Sequence, residues 1–311
     1  MSDLTAFGNR LTKNSRHWKK WARRREIGCF RIYDRDIPEF PWAIDWYEGH
    51  VHAQEFARGS DQEMTPAQRS ELIETICLAL EIPAQQLALK TRQRQKGSAQ
   101  YQKTGMRGKE IIVSENGLKF SVNLNSYLDT GLFLDHSQTR QMVREQSRDK
   151  RFLNLFAYTG SFTVYAAAGG ARESITVDLS NTYQEWSKRN FLLNGIDLEH
   201  HQLVRADVFD YLQQAIRQRQ LFDLIVMDPP SFSNSKKMDD TLDVQRDHPK
   251  LIRDCLQILR PGGTLYFSTN LRRFKLDPAL SEEAQVQEIT AKTIPEDFKR
   301  HRVHQCWLIL K

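Results

Sequence analysis

The sequence predicts an α/β protein: a Rossmann-like, doubly wound and mostly parallel sheet with an antiparallel edge, preceded by a small α+β domain and a basic N-terminal helix. Three observations predict it. Beyond Phe133, apolar strand patterns alternate with helical ones, the signature of a sheet covered on both faces. Three of those strands in succession run into an aspartate. Ahead of Phe133 the period changes, from a one-sided basic helix to short alternating strands. With 311 residues, 40% hydrophobic and 27% charged, the chain can fill two cores, and its charges are of mixed sign rather than in disordered blocks.

In chain order, "FGNRLTKNSRHWKKWARRR" places Phe7, Leu11, Trp18 and Trp21 on one helical stripe. Arg10, Lys13, Lys20 and Arg24 stand among the cations that fill the remainder, a charge pattern suited to nucleic-acid phosphates as well as to a solvated face. "CFRIYD", "WAIDWYE" and "HVHAQEFAR" read as strands, with Glu48-Gly49 as a turn. A helix follows, with Thr65 as N-cap, Pro66 at its first position and Gln68 completing a capping box; Pro83 stops it. "LALKTRQRQ", "EIIVSENG" and "LKFSVNLN" read as further strands, so the small domain has a strand-strand-helix-strand-strand character, with Asn116-Gly117 as a hairpin turn. Inside it a glycine-punctuated basic loop carries Lys90, Arg92, Arg94, Lys96 and Lys103, with Tyr101 as a stacking ring; it reads as a phosphate-gripping loop. The expected boundaries are 1–28 for the basic helix, 29–130 for the small domain and 131–311 for the sheet domain.

In that last domain "RFLNLFA", "SITVDLS", "HQLVRAD", "DLIVMDPP" and "TLYFSTN" are the predicted strands, and "EAQVQEITAK" and "HQCWLILK" read as a closing antiparallel pair at the edge. Ligands bind open α/β sheets beyond the carboxyl ends of the strands, so those ends hold the candidates. The first strand runs into "NLFAYTGSFT", where Gly160 permits a tight turn. Asp178 ends the second strand at a distance suited to ribose hydroxyls, Asp207 the third for an adenine amino group, and Asp228 the fourth. One glycine at the first turn is too few to cradle a pyrophosphate, which argues against a dinucleotide or nucleoside triphosphate. S-adenosylmethionine has ribose, adenine and a cationic sulfonium but no phosphate, and suits a carboxylate-lined crevice. In "DPPSFSNSK", Pro229 and Pro230 remove two backbone donors and stiffen the turn, Phe232 offers a stacking face, and Lys236 and Lys237 add charge for RNA.

Other classes lose ground here. Cys29, Cys77, Cys255 and Cys306 are scattered, without paired zinc or redox spacing, and read as reduced thiols of an intracellular protein. No run approaches ~20 apolar residues, so no membrane span and no signal core is expected. His301, His304 and Cys306 resemble a metal cluster but lack a fourth ligand, so no metal is expected; His200-His201 reads as an exposed turn.

The turn, Asp178, Asp207, "DPPSF" and "LRPGG" stand in the order seen in class I S-adenosylmethionine-dependent methyltransferases, which the chain resembles. More closely, "NRLTKNSRHWKKWA", "LKTRQRQKG", "YLDTGLFLDHS", "NLFAYTGSFTVYAAAGGA", "DPPSFSNSK", "VQRDH" and "CWLIL" are similar to the C-terminal half of the bifunctional 23S ribosomal RNA guanine methyltransferases of the RlmKL type. The resemblance covers nearly the whole chain. It implies a cytoplasmic enzyme that makes 7-methylguanine in large-subunit ribosomal RNA or its precursor particle, with S-adenosylhomocysteine as by-product, and without the second activity of the other half. It implies a cofactor set of Phe133, Asp135, Asn154, Phe156, Tyr158, Thr159, Gly160, Ser161, Asp178, Leu179, Ser180, Asp207, Val208 and Asp228, in which "GLFLDHS" closes over the methionine end. Read from the residues alone, Asp135 is equally an N-cap for the helix that follows. Asp228, Pro229, Pro230 and Phe232 are expected to orient the base, and no general base is needed, because guanine N7 carries a free lone pair. Two alternatives stand beside this reading: methylation of an exocyclic amine (guanine N2 or adenine N6), and a non-catalytic RNA-binding assembly factor. Cytosine C5 chemistry needs a thiolate, and the fifth strand ends "FSTN" with no cysteine.

Overall fold

A computed structural model of the chain describes residues 4–56, 64–92, 110–127, 129–233 and 241–311. They divide into two compact units: Met1–Gly117, Val122–Thr130 and Glu296–His301 form one, and Leu118–Ser121, Gly131–Pro295 and Arg302–Lys311 the other.

The first unit opens with helix α1 (Leu4–Arg23), whose buried Phe7, Leu11, Ser15 and Ala22 form one stripe. Phe7 anchors it, its ring stacked on Phe40 at 4.6 Å and edge-on to Tyr33 at 5.2 Å. Strands β1 (Cys29–Asp34), β2 (Trp42–Tyr47) and β3 (His50–Phe56) make an antiparallel meander. Its second turn, Glu48-Gly49, has both φ positive, at 46° and 91°, as a two-residue hairpin with right-handed strand twist requires. Helix α2 (Pro66–Leu80) carries the expected Thr65–Gln68 capping box and ends on Glu81 in the left-handed region. Strand β4 (Leu87–Arg92) returns parallel to β3, giving the order β1-β2-β3-β4. This sheet therefore takes three strands before the helix and one after. The segments "EIIVSENG" and "LKFSVNLN" do form strands, β5 (Ile111–Glu115) and β6 (Leu118–Val122), but outside it. Periodicity identifies a strand; it does not choose the sheet.

The second unit holds a seven-stranded sheet. Helix α3 (Ser137–Gln146) leads into β7 (Arg151–Leu155), and α4 (Ser161–Ala168), β8 (Glu173–Asp178), α5 (Asn181–Leu193), β9 (His201–Arg205), α6 (Val208–Arg217) and β10 (Phe222–Met227) follow in alternation. A two-residue ribbon, β11 (Phe232–Ser233) with β12 (Leu242–Asp243), precedes helix α7 (Val244–Ile258) and β13 (Leu259–Thr269). The short helix α8 (Leu280–Glu283), β14 (Gln285–Glu288), α9 (Thr290–Thr293) and β15 (Gln305–Leu310) close the unit. The order is β14-β15-β13-β10-β7-β8-β9. From β13 to β9 all neighbours are parallel; β15 runs antiparallel to both β13 and β14, the expected edge.

Why this sheet is covered twice is visible along β10. Ile225 and Met227 sit in one apolar cluster with Leu212, Leu251 and Cys255 of α6 and α7; the alternate Leu224 and Val226 sit in another with Val143 of α3 and Phe162 and Ala166 of α4. A strand with both faces buried needs a continuous apolar run, and "LIVM" supplies it. Each such side chain contributes roughly 1.5–3 kcal/mol by leaving water. The order reverses between β7 and β10, since the chain moves outward through β8 and β9 and then returns to β10 on the other side of β7. That reversal opens the crevice at the carboxyl ends of β7 and β10.

Candidate functional site: the carboxyl edge of the sheet

The turn after β7 is the first wall. Phe156 and Tyr158 take positive φ, 54° and 52°, before Gly160 at 72°. Non-glycine residues in that region cost about 1–3 kcal/mol each and persist only where the surroundings hold them. The holding contacts are many. Ala157 N–H donates to Val177 O at 3.0 Å, and Tyr158 N–H to Asp178 Oδ2 at 2.8 Å. Ser187 Oγ donates to Tyr158 O at 3.2 Å, Asn190 Nδ2 to Thr159 O at 2.9 Å, and Thr159 Oγ1 to Gly131 O at 2.7 Å. A Cβ on Gly160 would lie 2.9 Å from Ser187 Oγ, so glycine is required for space as well as for φ. The strained turn was legible only at its glycine; that two aromatics share its geometry was not.

Asp178 completes β8 and accepts a second amide, Ser180 N–H, through Oδ1 at 2.8 Å. Burial pushes its pKa up to about 6, against the pull of the Ser180 and Tyr158 amides. Ser180 caps α5 by accepting from Tyr183 N–H, and Leu179 is half-buried beside it. Asp207 follows β9 and caps α6, accepting from Phe209 N–H at 2.8 Å, with Val208 buried behind it. Since Asp178 and Asp207 follow adjacent parallel strands whose register pairs Asp178 with Arg205, they share one edge of the sheet. Phe133, 43% exposed, lies 5.0 Å from the Tyr158 ring, centroid to centroid.

Two cofactor candidates have side chains bonded inside the protein. Asn154 is buried and donates to Thr163 Oγ1 at 3.1 Å, bracing β7 against α4; Thr159 is fully buried against Gly131. An inward strand position places a polar group in the core, where it must satisfy itself locally. Ser161 opens α4.

Asp228 follows β10. Its Oδ1 accepts from Ser268 Oγ of β13 at 2.6 Å, and its Oδ2 lies 3.6 Å from His136 Nε2. Pro229 is buried, Pro230 half-buried, and Phe232 is 50% exposed on the β11–β12 ribbon. Asp135 is not an N-cap: α3 starts at Ser137, with no side-chain cap, because Asp135 Oδ2 pairs with His304 Nδ1 at 3.0 Å. The sequence grouped His304 with His301 and Cys306. Instead, His304 stacks on His136, centroids 4.2 Å apart and planes within 12°, and meets Thr293 Oγ1 through Nε2 at 3.0 Å. His301 Nε2 lies 3.3 Å from Asp34 O. Asp135, His136 and His304 bring ligand-capable atoms within 4.8 Å of one another, but the two imidazoles lie face over face, so their lone pairs run side by side rather than toward one ion. The sequence offered "LDHS" as a hint to this cluster; His304, 169 residues away from Asp135, had no local signal. His201 is also corrected: it is buried and bonded to Ser174 Oγ at 2.9 Å, opening β9.

No cysteine stands ready at this edge. The Cys255 and Cys306 thiols are buried and pushed well above their usual value by that burial, with Asp254 and Asp228 respectively adding to it. A cavity of about 350 Å³ lined by Arg172, Asn194, His200 and His201 lies at the amino ends of β8 and β9, the opposite edge from the aspartates.

In the first unit, Lys13, Lys20 and Arg24 are exposed and Arg10 is half-buried. The Lys90 ammonium donates to Tyr127 O, and burial lowers its pKa to about 8. Arg92 ends β4; Arg94, Lys96, Tyr101, Lys103, Lys236 and Lys237 lie outside the described residues. Among the described residues no helix is long and apolar enough to cross a membrane.

The donor set suits an adenosine-bearing sulfonium: carboxylates at three strand tips and a turn with one glycine rather than an amide nest for phosphates. The comparisons agree. Residues 18–304 match the family described as S-adenosylmethionine-dependent methyltransferase. The ribosomal RNA large subunit methyltransferase K of Neisseria meningitidis is 56% identical over 99% of this chain and 88% of its own length. The ribosomal RNA large subunit methyltransferase K/L of Hahella chejuensis is 50% identical over 97% of this chain, which spans 42% of that protein. The similarity is therefore not confined to one half of a two-part protein. Among solved structures, the methyltransferase SMU.776 complexed with SAH superposes with a TM-score of 0.80, 26% identity, and coverage of 99% of this chain and 82% of that one.

Proposed function

The chain belongs to the S-adenosylmethionine-dependent methyltransferase family, and on that premise we propose that it methylates guanine N7 in large-subunit ribosomal RNA, leaving 7-methylguanine. The observation that carries this reading is the tip of β10: a carboxylate on two prolines beside a half-exposed aromatic ring, with the one thiol near it, Cys306, fully buried. The Asp228 carboxylate accepts from the N1–H and N2 amino group of a flipped guanine, as do the outward carbonyls of the proline turn, leaving N7 at the far edge. Phe232 stacks on the ring, which is worth roughly 1–3 kcal/mol. Bound S-adenosylmethionine supplies an electrophilic methyl on a cationic sulfur. N7 already presents its lone pair, so the residues need only hold it in line, and orientation supplies on the order of 7–11 kcal/mol. Asp178 holds the ribose, Asp207 the adenine amino group, and Asp135 lies toward the methionine end. Lys13, Lys20 and Arg24 bind RNA phosphates.

One observation favours a second reading, methylation of an exocyclic amine. That reaction must shed a proton, and an imidazole lies 3.6 Å from Asp228. The test is transfer from labelled S-adenosylmethionine to unmodified large-subunit ribosomal RNA, with the product nucleoside identified by mass spectrometry. We expect 7-methylguanosine. N2-methylguanosine or N6-methyladenosine would replace the reading with the second one; RNA binding without incorporated label would make the protein an assembly factor.

A further inference from the structure

We propose that His136 is a positioning residue for Asp228: its Nε2–H faces the carboxylate across 3.6 Å, an electrostatic contact rather than a hydrogen bond, and together with the Ser268 hydrogen bond it holds the plane in which Asp228 meets the base. The inference rests on the reading of Asp228 as the group that orients the acceptor, and it deepens that reading by assigning the imidazole as a donor rather than a base.

Geometry determines the tautomer. His136 Nε2 faces two carboxylates, Asp228 Oδ2 at 3.6 Å and Asp135 Oδ2 at 4.0 Å. Carboxylates only accept, so a bare ring nitrogen there would set lone pair against lone pair, and the hydrogen belongs on Nε2. Its Nδ1 meets Thr139 Oγ1 at 3.3 Å, and a hydroxyl can donate. His304 is arranged in parallel, with Nδ1 toward Asp135 and Nε2 on Thr293 Oγ1. The two stacked rings therefore each offer an N–H to a carboxylate, Asp228 for one and Asp135 for the other.

Burial, more than the charges around it, disfavours the cation of His136. Asp135 from its own turn and Asp228 from β10 favour the cation; Arg140 from α3 and His304 from the approach to β15 oppose it; Phe162 of α4 closes one side edge-on at 5.7 Å. Burial dominates, followed by His304, and the pKa falls below the usual imidazole value. A neutral imidazole with hydrogen on Nε2 has its lone pair on Nδ1, turned to Thr139 and away from Asp228. It cannot take a proton from a base bound against Asp228.

The experiment compares His136→Phe, which keeps a ring and loses the donor, with His136→Gln, whose amide can reach the Nε2 position. We expect kcat of the Phe variant to fall by about ten- to a hundredfold, as misplacement does, with S-adenosylmethionine affinity unchanged by calorimetry, and the Gln variant to recover most of the rate. Nitrogen-15 NMR of histidine-labelled wild-type protein at pH 6 to 7, assigned with the Gln variant, should show His136 neutral and protonated on Nε2. Equal rates in the Phe and Gln variants, an Nδ1–H tautomer, or an imidazolium in that range would overturn the proposal, and the spectrum decides even where the Phe variant does not fold. Activity lost to EDTA and regained with zinc would overturn it too, by making the cluster a metal site. The product nucleoside is scored in the same reactions: one other than 7-methylguanosine sinks the proposed function while leaving a Phe–Gln split interpretable.

Discussion

The turn after β7 and the turn after β10 end neighbouring parallel strands, yet they are rigid for opposite reasons. The first is held at its own main-chain atoms: positive φ at Phe156, Tyr158 and Gly160, with amides and carbonyls tied to the Val177 carbonyl and to the side chains of Asp178, Ser187 and Asn190. The second is stiffened by two prolines, and its carboxylate is bonded by a side chain of the neighbouring strand, Ser268 of β13, with His136 of the turn before α3 3.6 Å away. A turn built from backbone tolerates little substitution, because φ and space are both spent. One built from side chains leaves its carboxylate adjustable by what surrounds it. That suits a fixed cofactor at one tip and a base that must be fitted at the other.

Breaking the first turn should have the largest effect. Gly160→Val puts a β-branched residue at φ 72° against Ser187, and should cost about 3 kcal/mol or more in denaturant unfolding, with cofactor binding lost alongside. Breaking the second should spare the fold and the cofactor: Asp228→Ala should lower kcat roughly a hundredfold while S-adenosylmethionine binding by calorimetry stays normal. Near-normal turnover would end the distinction between the two tips. The same contrast sharpens with pH. Burial raises Asp178 above the unfolded carboxylate value of about 3.9, so its protonated form favours the folded free protein at low pH, and that contribution is lost as pH rises through about 6. A ribose needs the charged acceptor, so cofactor affinity should weaken as pH falls through about 6, and Asp178→Asn should remove this dependence while lowering affinity about tenfold. The smallest effect belongs outside both turns: Lys13→Ala with Lys20→Ala should leave cofactor binding alone and flatten the salt dependence of RNA affinity by about 0.7–0.9 per charge removed.

Much of this edge was legible in the chain. Strand tips at Asp178, Asp207 and Asp228 follow from apolar runs that stop on a carboxylate, and the Thr65 box follows from residues three apart. The contacts that were not legible share a cause. Asn154 looked like a crevice residue, but a strand alternates faces, and only the packing of α4 shows which face is which. Lys90 looked like one cation among many until Tyr127 claimed it.

By itself the sequence determined the alternation of strands and helices, the carboxylates at their tips and the single-glycine turn, because each is written in the period and in neighbouring residues. Only the tertiary structure decided that β13 lies between β10 and β15, and so that Ser268 and His304 reach the same corner as Asp135, His136 and Asp228. Contacts across such separations depend on strand order and burial, which no local pattern encodes.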